Sequence, residues 1–169
     1  RNYNQLKIKS NWYYEQQLLG FNYRMNEIQA ALGISQLKKI KKFNTCRNKV
    51  ANFYFKQLKY LPINLPLIEK ENYCSFHLFV IKVDRGVIKK SYDTIYKDLI
   101  AKGLGVNLHY LPVHLHPVFK KLGFKKGDFP VSEKHASSAF SIPVFYNLKD
   151  QEQKKIVKIL KQTFNKRNG

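Results

Sequence analysis

The stretch from Gly20 to Leu37 constrains the fold more than any other, because a polar, aromatic loop gives way there to an amphipathic helix at a single residue, Asn26. Asn26 has the chemistry of an N-cap, and Gln29 stands three residues on, where its side chain can reach back and complete a capping box. Helix entry is therefore set by local chemistry. Apolar residues follow at Ile28, Ala31, Leu32, Leu37, Ile40 and Phe43, with Ile34 one position off, close to a 3.6-residue period. The stripe is expected to be buried. The pattern predicts one helix from Asn26 to about Tyr60, stopped by Pro62, with Lys38, Lys39, Lys41 and Lys42 on its solvated face. Gly33 inside it costs about 1 kcal/mol relative to Ala, which such a length absorbs.

Asn22, Tyr23 and Arg24 stand just before this fixed start. Spacing leaves two readings open. In one, Asn22 shapes a turn and Arg24 pairs with a surface carboxylate. In the other, an amide and a guanidinium are presented together to an anion.

Composition bounds the rest. At 169 residues, 44% of them hydrophobic, the chain has the size and character of one globular domain. No apolar run approaches membrane-spanning length and no signal peptide is visible, so the chain reads as soluble and cytoplasmic, with no membrane partner. Cys46 and Cys74 lack disulfide-framework or metal spacing and read as free thiols. The formal charge of +20 invites a nucleic-acid-binding module. That charge is mostly Lys spread along the whole chain, with five Arg, and Lys, Asn, Ile, Tyr and Phe are enriched together, as AT-rich codons would dictate. No nucleic-acid motif accompanies it. A ligandless scaffold or dimerisation domain is a further alternative. The chain opens at Arg1 in a polar stretch without an initiator Met, and reads as a fragment.

Residues 1–19 are polar and aromatic, with Trp12, Tyr13 and Tyr14 suited either to self-packing or to the wall of a sugar or base site. Pro62 and Pro66 mark a linker. The domain reading is a loop over 1–25, a long connecting helix over 26–61 and a small domain over 62–169. Within the latter, Phe76 to Val83 reads as a buried strand. Lys90 to Lys102 reads as a helix with Tyr92, Ile95, Tyr96, Leu99 and Ile100 on one side and Gly103 as its stop. Val106 to Tyr110 reads as a second strand, and Pro130 to Ser138 as a short helix packed on the sheet with Glu133 near its first turn. Ser141 to Phe145 reads as an edge strand, since edges tolerate Pro. A last helix, 150–164, carries Ile156, Val157, Leu160 and Phe164 on its apolar face, capped by Asp150, and 166–169 is a tail. The order predicts a small α/β or α+β layer structure.

A second cluster lies in His109, Tyr110, Pro112, His114, His116 and Pro117. Three His within eight residues suggest a metal site, but two prolines break the geometry and the segment has no carboxylate or thiolate to complete a shell. Exposed, unpartnered loop His are one remaining reading. A substrate loop is the other: a strand end followed by a stiff turn presents donors at fixed positions.

These motifs resemble those of the DegT/DnrJ-type sugar aminotransferases, which use pyridoxal phosphate. The resemblance is carried by Gly-Phe-Asn-Tyr-Arg-Met-Asn-Glu-Ile-Gln-Ala-Ala-Leu-Gly-Ile-Ser-Gln-Leu and by Gly-Val-Asn-Leu-His-Tyr-Leu-Pro-Val-His-Leu-His-Pro. The lead-in Trp-Tyr-Tyr-Glu-Gln-Gln-Leu-Leu-Gly is similar to the pseudaminic acid branch of that family. The resemblance implies the C-terminal portion of a fold-type I transferase and a homodimer. In that family the first loop crosses the dimer interface to the neighbouring subunit's cofactor phosphate, which points to Asn22 and Arg24. The substrate residues it implies are Tyr13, Tyr23, His109, Tyr110 and His114. Phe76 and Phe119 stand where Tyr is common, so hydroxyl contacts there are lost. The implied reaction passes an amino group from glutamate to a UDP-linked 4-keto sugar. A dehydratase branch of the family, with His in place of the Schiff-base Lys, is the alternative. None of the 26 Lys stands in the family's Schiff-base motif, so that Lys is expected upstream of Arg1, no catalytic residue is assigned, and the chain is expected to be inactive alone.

Overall fold

The computed structural model describes residues 18–164. Tyr13 with its aromatic neighbours, and the 166–169 tail, lie outside the described residues. The chain divides between Leu37 and Lys38 into two units.

In the first unit the capping box forms as its chemistry dictates. The Gln29 backbone N–H donates to Asn26 Oδ1 at 2.9 Å, and the Asn26 N–H donates to Gln29 Oε1 at 3.1 Å. Helix α1 then runs over Glu27–Leu37. Its apolar stripe is not buried, contrary to expectation: Ile28, Leu32, Ile34 and Leu37 are all exposed. One short helix and its lead-in hold too little apolar surface to form a core of their own.

The expected single helix is two helices. Lys38 and Lys39 form a turn, and α2 begins at Ile40 and ends at Leu58. Like charges at helical spacing, Lys38 with Lys41 and Lys42, disfavour continuing the helix through this point. Helix α2 belongs with the sheet unit, into which it buries Val50, Ala51, Tyr54 and Leu58.

The second unit is an α+β structure. Strands β1 (Ile63–Asn64), β2 (Phe79–Val83), β3 (Asn107–Leu108) and β4 (Ala139–Ile142) form an antiparallel sheet in the order β1-β2-β4-β3. Helices α3 (Tyr92–Ala101) and α6 (Asp150–Phe164) cover it with α2, and the short helices α4 (Pro117–Lys120) and α5 (Pro130–Ala136) follow β3. Phe79 pairs with Ile142 and Ile81 with Phe140, so these side chains share one face and join the core with Leu99, Leu160 and Phe164. Val80, Lys82, Ser141 and Asn107 fall on the opposite face.

Several strands differ from expectation. The first starts at Phe79 because Phe76 takes a left-handed conformation, φ +45, while its ring enters the core. The second holds only Asn107 and Leu108. The third is interior, between β2 and β3, instead of at an edge. Pro143 stands just past its end, so no ladder N–H is missing, and its carbonyl accepts the Tyr54 hydroxyl at 2.8 Å.

Helix α3 is capped by Ser91, whose Oγ accepts from the Thr94 N–H at 3.0 Å. It stops as expected at Gly103. At φ +77, Gly103 donates to the Ile100 carbonyl and Leu104 to that of Leu99, the two bonds of a Schellman motif. Ile95 and Leu99 are buried, but Ile100 is exposed. Helix α5 buries none of its residues. Helix α6 matches its expected span, but Asp150 lies within its first turn, and Glu152 instead accepts from the Lys149 N–H at 2.8 Å. Cys46 and Cys74 are free thiols.

Replacing Phe79 with Ala should cost about 3–5 kcal/mol in denaturant unfolding, because a fully buried ring leaves a cavity. A second test concerns pH. Asp98 Oδ2 accepts Lys102 Nζ at 2.6 Å and the Thr163 hydroxyl at 3.0 Å, tying α3 to α6. The hydrogen bond from Lys102, aided by that from Thr163, holds the Asp98 carboxyl below its ordinary value. The folded state thus favours the ionised form. Its contribution is present above the ordinary carboxyl pKa of about 4 and is lost as pH falls through the lower folded value. Asp98→Asn should therefore flatten the acid side of a stability-against-pH profile measured by urea unfolding.

Candidate functional site

In the first unit, residues 19–26 approach α1 without regular structure. Asn22 is left-handed, φ +51, a conformation Asn tolerates better than most residues. Arg24 Nε donates to Asn22 Oδ1 at 3.1 Å. That bond occupies the amide oxygen and one edge of the guanidinium. The Asn22 amide nitrogen and the Arg24 Nη groups have no hydrogen bond among the described residues. Several N–H donors, one group of them cationic, thus stand beside a helix start, the donor chemistry of a phosphate or carboxylate site. The Phe21 and Tyr23 rings stack at 5.6 Å, with Tyr23 89% exposed.

In the second unit the site residues cluster beyond β3. Asn107, Leu108 and His109 alternate in direction, so His109 emerges on the polar side of the sheet. Its Nε2 lies 2.7 Å from Ser141 Oγ of β4. Burial, and secondarily His135, push the His109 pKa below its ordinary value of 6.5, which keeps the imidazole neutral at neutral pH. Tyr110 stands edge-on to it at 4.7 Å and is largely exposed.

A buried Pro112 then opens a tight turn, with the Leu115 N–H donating to its carbonyl at 2.8 Å. The turn carries His114 inward to 7% exposure. His114 Nε2 lies 2.9 Å from Glu133 Oε1 of α5, and the Gly127 N–H donates to the same oxygen at 2.7 Å. The Gly127 bond, and then the His114 bond, hold the Glu133 carboxyl below its ordinary value. The His114 ring lies 4.8 Å from that of Phe129. Val113, His114, Phe119, Phe124, Phe129 and Ser132 line a cleft of about 330 Å³.

The reading of His109 and His114 as exposed, unpartnered loop residues is therefore corrected: each has a partner, brought to it by folding. The two bond to different residues and not to each other. His116 is exposed. Among the described residues no group of three His, Cys, Asp or Glu could hold a metal ion. Phe76 belongs to the core and Phe119 to the cleft. Sequence reasoning missed Ser141 and Glu133 as partners. They lie 32 and 19 residues from their histidines, and no local pattern marks them.

Residues 2–161 match the DegT/DnrJ/EryC1/StrS aminotransferase family. The chain belongs to that family. It is 28% identical to the spore coat polysaccharide biosynthesis protein SpsC of Bacillus subtilis over 94% of this chain and 42% of SpsC. Among solved structures, PseC of Helicobacter pylori, an aminotransferase involved in the biosynthesis of pseudoaminic acid, superposes with a TM-score of 0.76 at 28% identity, covering 92% of this chain and 42% of that one. DesV of S. venezuelae gives a TM-score of 0.78 at 26% identity, over 92% and 41%. The chain thus spans about two fifths of the length of these relatives and corresponds to a portion of the aminotransferase fold. The family's cofactor is pyridoxal phosphate. No helix among the described residues is long and apolar enough to cross a membrane.

An NMR titration should place the His109 midpoint below 6.5. His135→Gln should raise it only partway, since burial is the larger cause.

Proposed function

We propose that this chain is the part of a pyridoxal phosphate-dependent sugar aminotransferase that supplies a phosphate-contacting loop and much of the substrate pocket. The observation that carries the proposal is the Arg24–Asn22 pair, whose free N–H groups stand ready for a phosphate beside the capped start of α1. Pyridoxal phosphate, when bound, supplies the electron sink through which an amino group passes between a donor and a keto sugar. Asn22 and Arg24 hold its phosphate across a two-fold dimer interface. The exposed Tyr23, with Tyr13, offers aromatic surface to the sugar nucleotide, and His109, Tyr110 and His114 contact it at the mouth of the site.

The substrate we infer is a UDP-linked 4-keto sugar with glutamate as amino donor, in pseudaminic acid biosynthesis and in the cytoplasm. Likeness to PseC supports the sugar class. Since no Lys here stands in the family's Schiff-base motif, the chain is proposed to be inactive by itself. Membership of an aminotransferase family favours this reading over a nucleic-acid-binding module, because the basic residues lack any accompanying recognition motif.

In the complete enzyme, Asn22→Ala combined with Arg24→Ala should weaken cofactor retention by about tenfold to a hundredfold, the worth of one or two hydrogen bonds to a charged group. Equilibrium dialysis against pyridoxal phosphate measures this, and unchanged retention would rule out the phosphate role.

A further inference from the structure

The cleft between the turn at residues 113–115 and α5 has three phenylalanines on its walls, yet one of its lining side chains, His114, is polar and nearly buried. An imidazole in such a place needs a partner for its N–H. Glu133 is that partner, and an ionised carboxylate can only accept. The proton between them therefore belongs to Nε2 of His114, at 2.9 Å from Glu133 Oε1. Gly127 fixes the same oxygen from the other side at 2.7 Å and thereby keeps the carboxylate ionised and in place. In the neutral ring the remaining nitrogen, Nδ1, is then an acceptor. It has no hydrogen bond among the described residues and is not sealed from solvent.

We propose that Glu133 is a positioning residue for His114: it fixes the imidazole proton on Nε2 so that Nδ1 serves the cleft as a hydrogen-bond acceptor for a sugar hydroxyl or amide N–H. This rests on reading the chain as part of a sugar-nucleotide enzyme. The walls argue for the sugar and against its phosphates. Phe119, Phe124 and Phe129 offer ring faces to the apolar C–H surface of a pyranose. A phosphate, which mainly accepts hydrogen bonds, would meet the Nδ1 lone pair and apolar rings there, with the Ser132 hydroxyl as its one donor among the lining side chains, too little to replace its hydration. Glu133 does not itself line the cleft. Its effect passes through the imidazole.

The test is nitrogen-15 NMR of the histidine side chains in the full 169-residue chain, with UDP-N-acetylglucosamine as probe. Wild type should show an imidazole proton on Nε2 of His114 in slow exchange with water and a bare Nδ1 whose resonance moves on adding the probe. Glu133→Gln keeps a carbonyl oxygen that accepts both N–H groups, so it should retain the slow proton and bind the probe within about twofold of wild type. Glu133→Ala should lose the slow proton. His114→Phe, which keeps a ring against Phe129, should weaken binding about tenfold, the loss of one hydrogen bond. A proton on Nδ1 in wild type, or a slow Nε2 proton that survives Glu133→Ala, overturns the positioning role. An Nδ1 resonance that the probe leaves unmoved overturns the recognition role, whether or not the probe binds elsewhere. Neither result touches cofactor retention by the complete enzyme, on which the proposed function is judged.

Discussion

The register of β2 against β4 places Phe79 and Ile81 opposite Ile142 and Phe140, and with that choice the sheet acquires two unlike faces. One face is aromatic and branched and takes α2, α3 and α6 as its cover. The other carries Val80, Lys82 and Ser141 and meets His109. A slip of β4 by one residue would turn Phe140 and Ile142 away from the core and send Ser141 into it. The slip is opposed by two bonds that reach the sheet from helices. The Tyr54 hydroxyl donates to the Pro143 carbonyl just past β4, and the Tyr92 hydroxyl donates to the Ala139 carbonyl at its start. Burial pushes the Tyr92 phenol up to about 12, so this donor keeps its proton throughout the neutral range.

What was legible in the sequence was what local chemistry decides. The reciprocal bonds of Asn26 and Gln29, the Gly103 stop and the span of α6 each follow from residues three to five apart, and each is present. The helix break at Lys38 and Lys39 leaves no mark in the hydrophobic pattern, because the apolar period runs through it unbroken and repulsion among neighbouring lysines does not show there. The edge position expected for strand β4 rests on placing Pro143 inside it. Ending the strand at Ile142, just before the proline, removes the objection to an interior position.

The candidate site divides along the same line. Asn22 and Arg24 are two residues apart and bond to each other, a pairing that neither reading of their spacing names. The histidines of the second cluster were recognised, but not their environment. Whether an imidazole is a loose surface group or a held one depends on Ser141 and Glu133, which arrive from β4 and α5 only through the tertiary fold. The resemblance implies roles for the histidines, and the fold supplies their hydrogen-bond partners.

Gly127 does not line the aromatic cleft, yet its N–H shares one carboxylate oxygen with the imidazole that does. Its φ of +100 lies where side-chain-bearing residues rarely go, so the turn that aims this N–H depends on the absence of a Cβ. The carboxylate that holds the His114 ring is thereby tied to a backbone torsion six residues away. An engineer wishing to retune the pocket has a handle there that leaves every lining side chain in place.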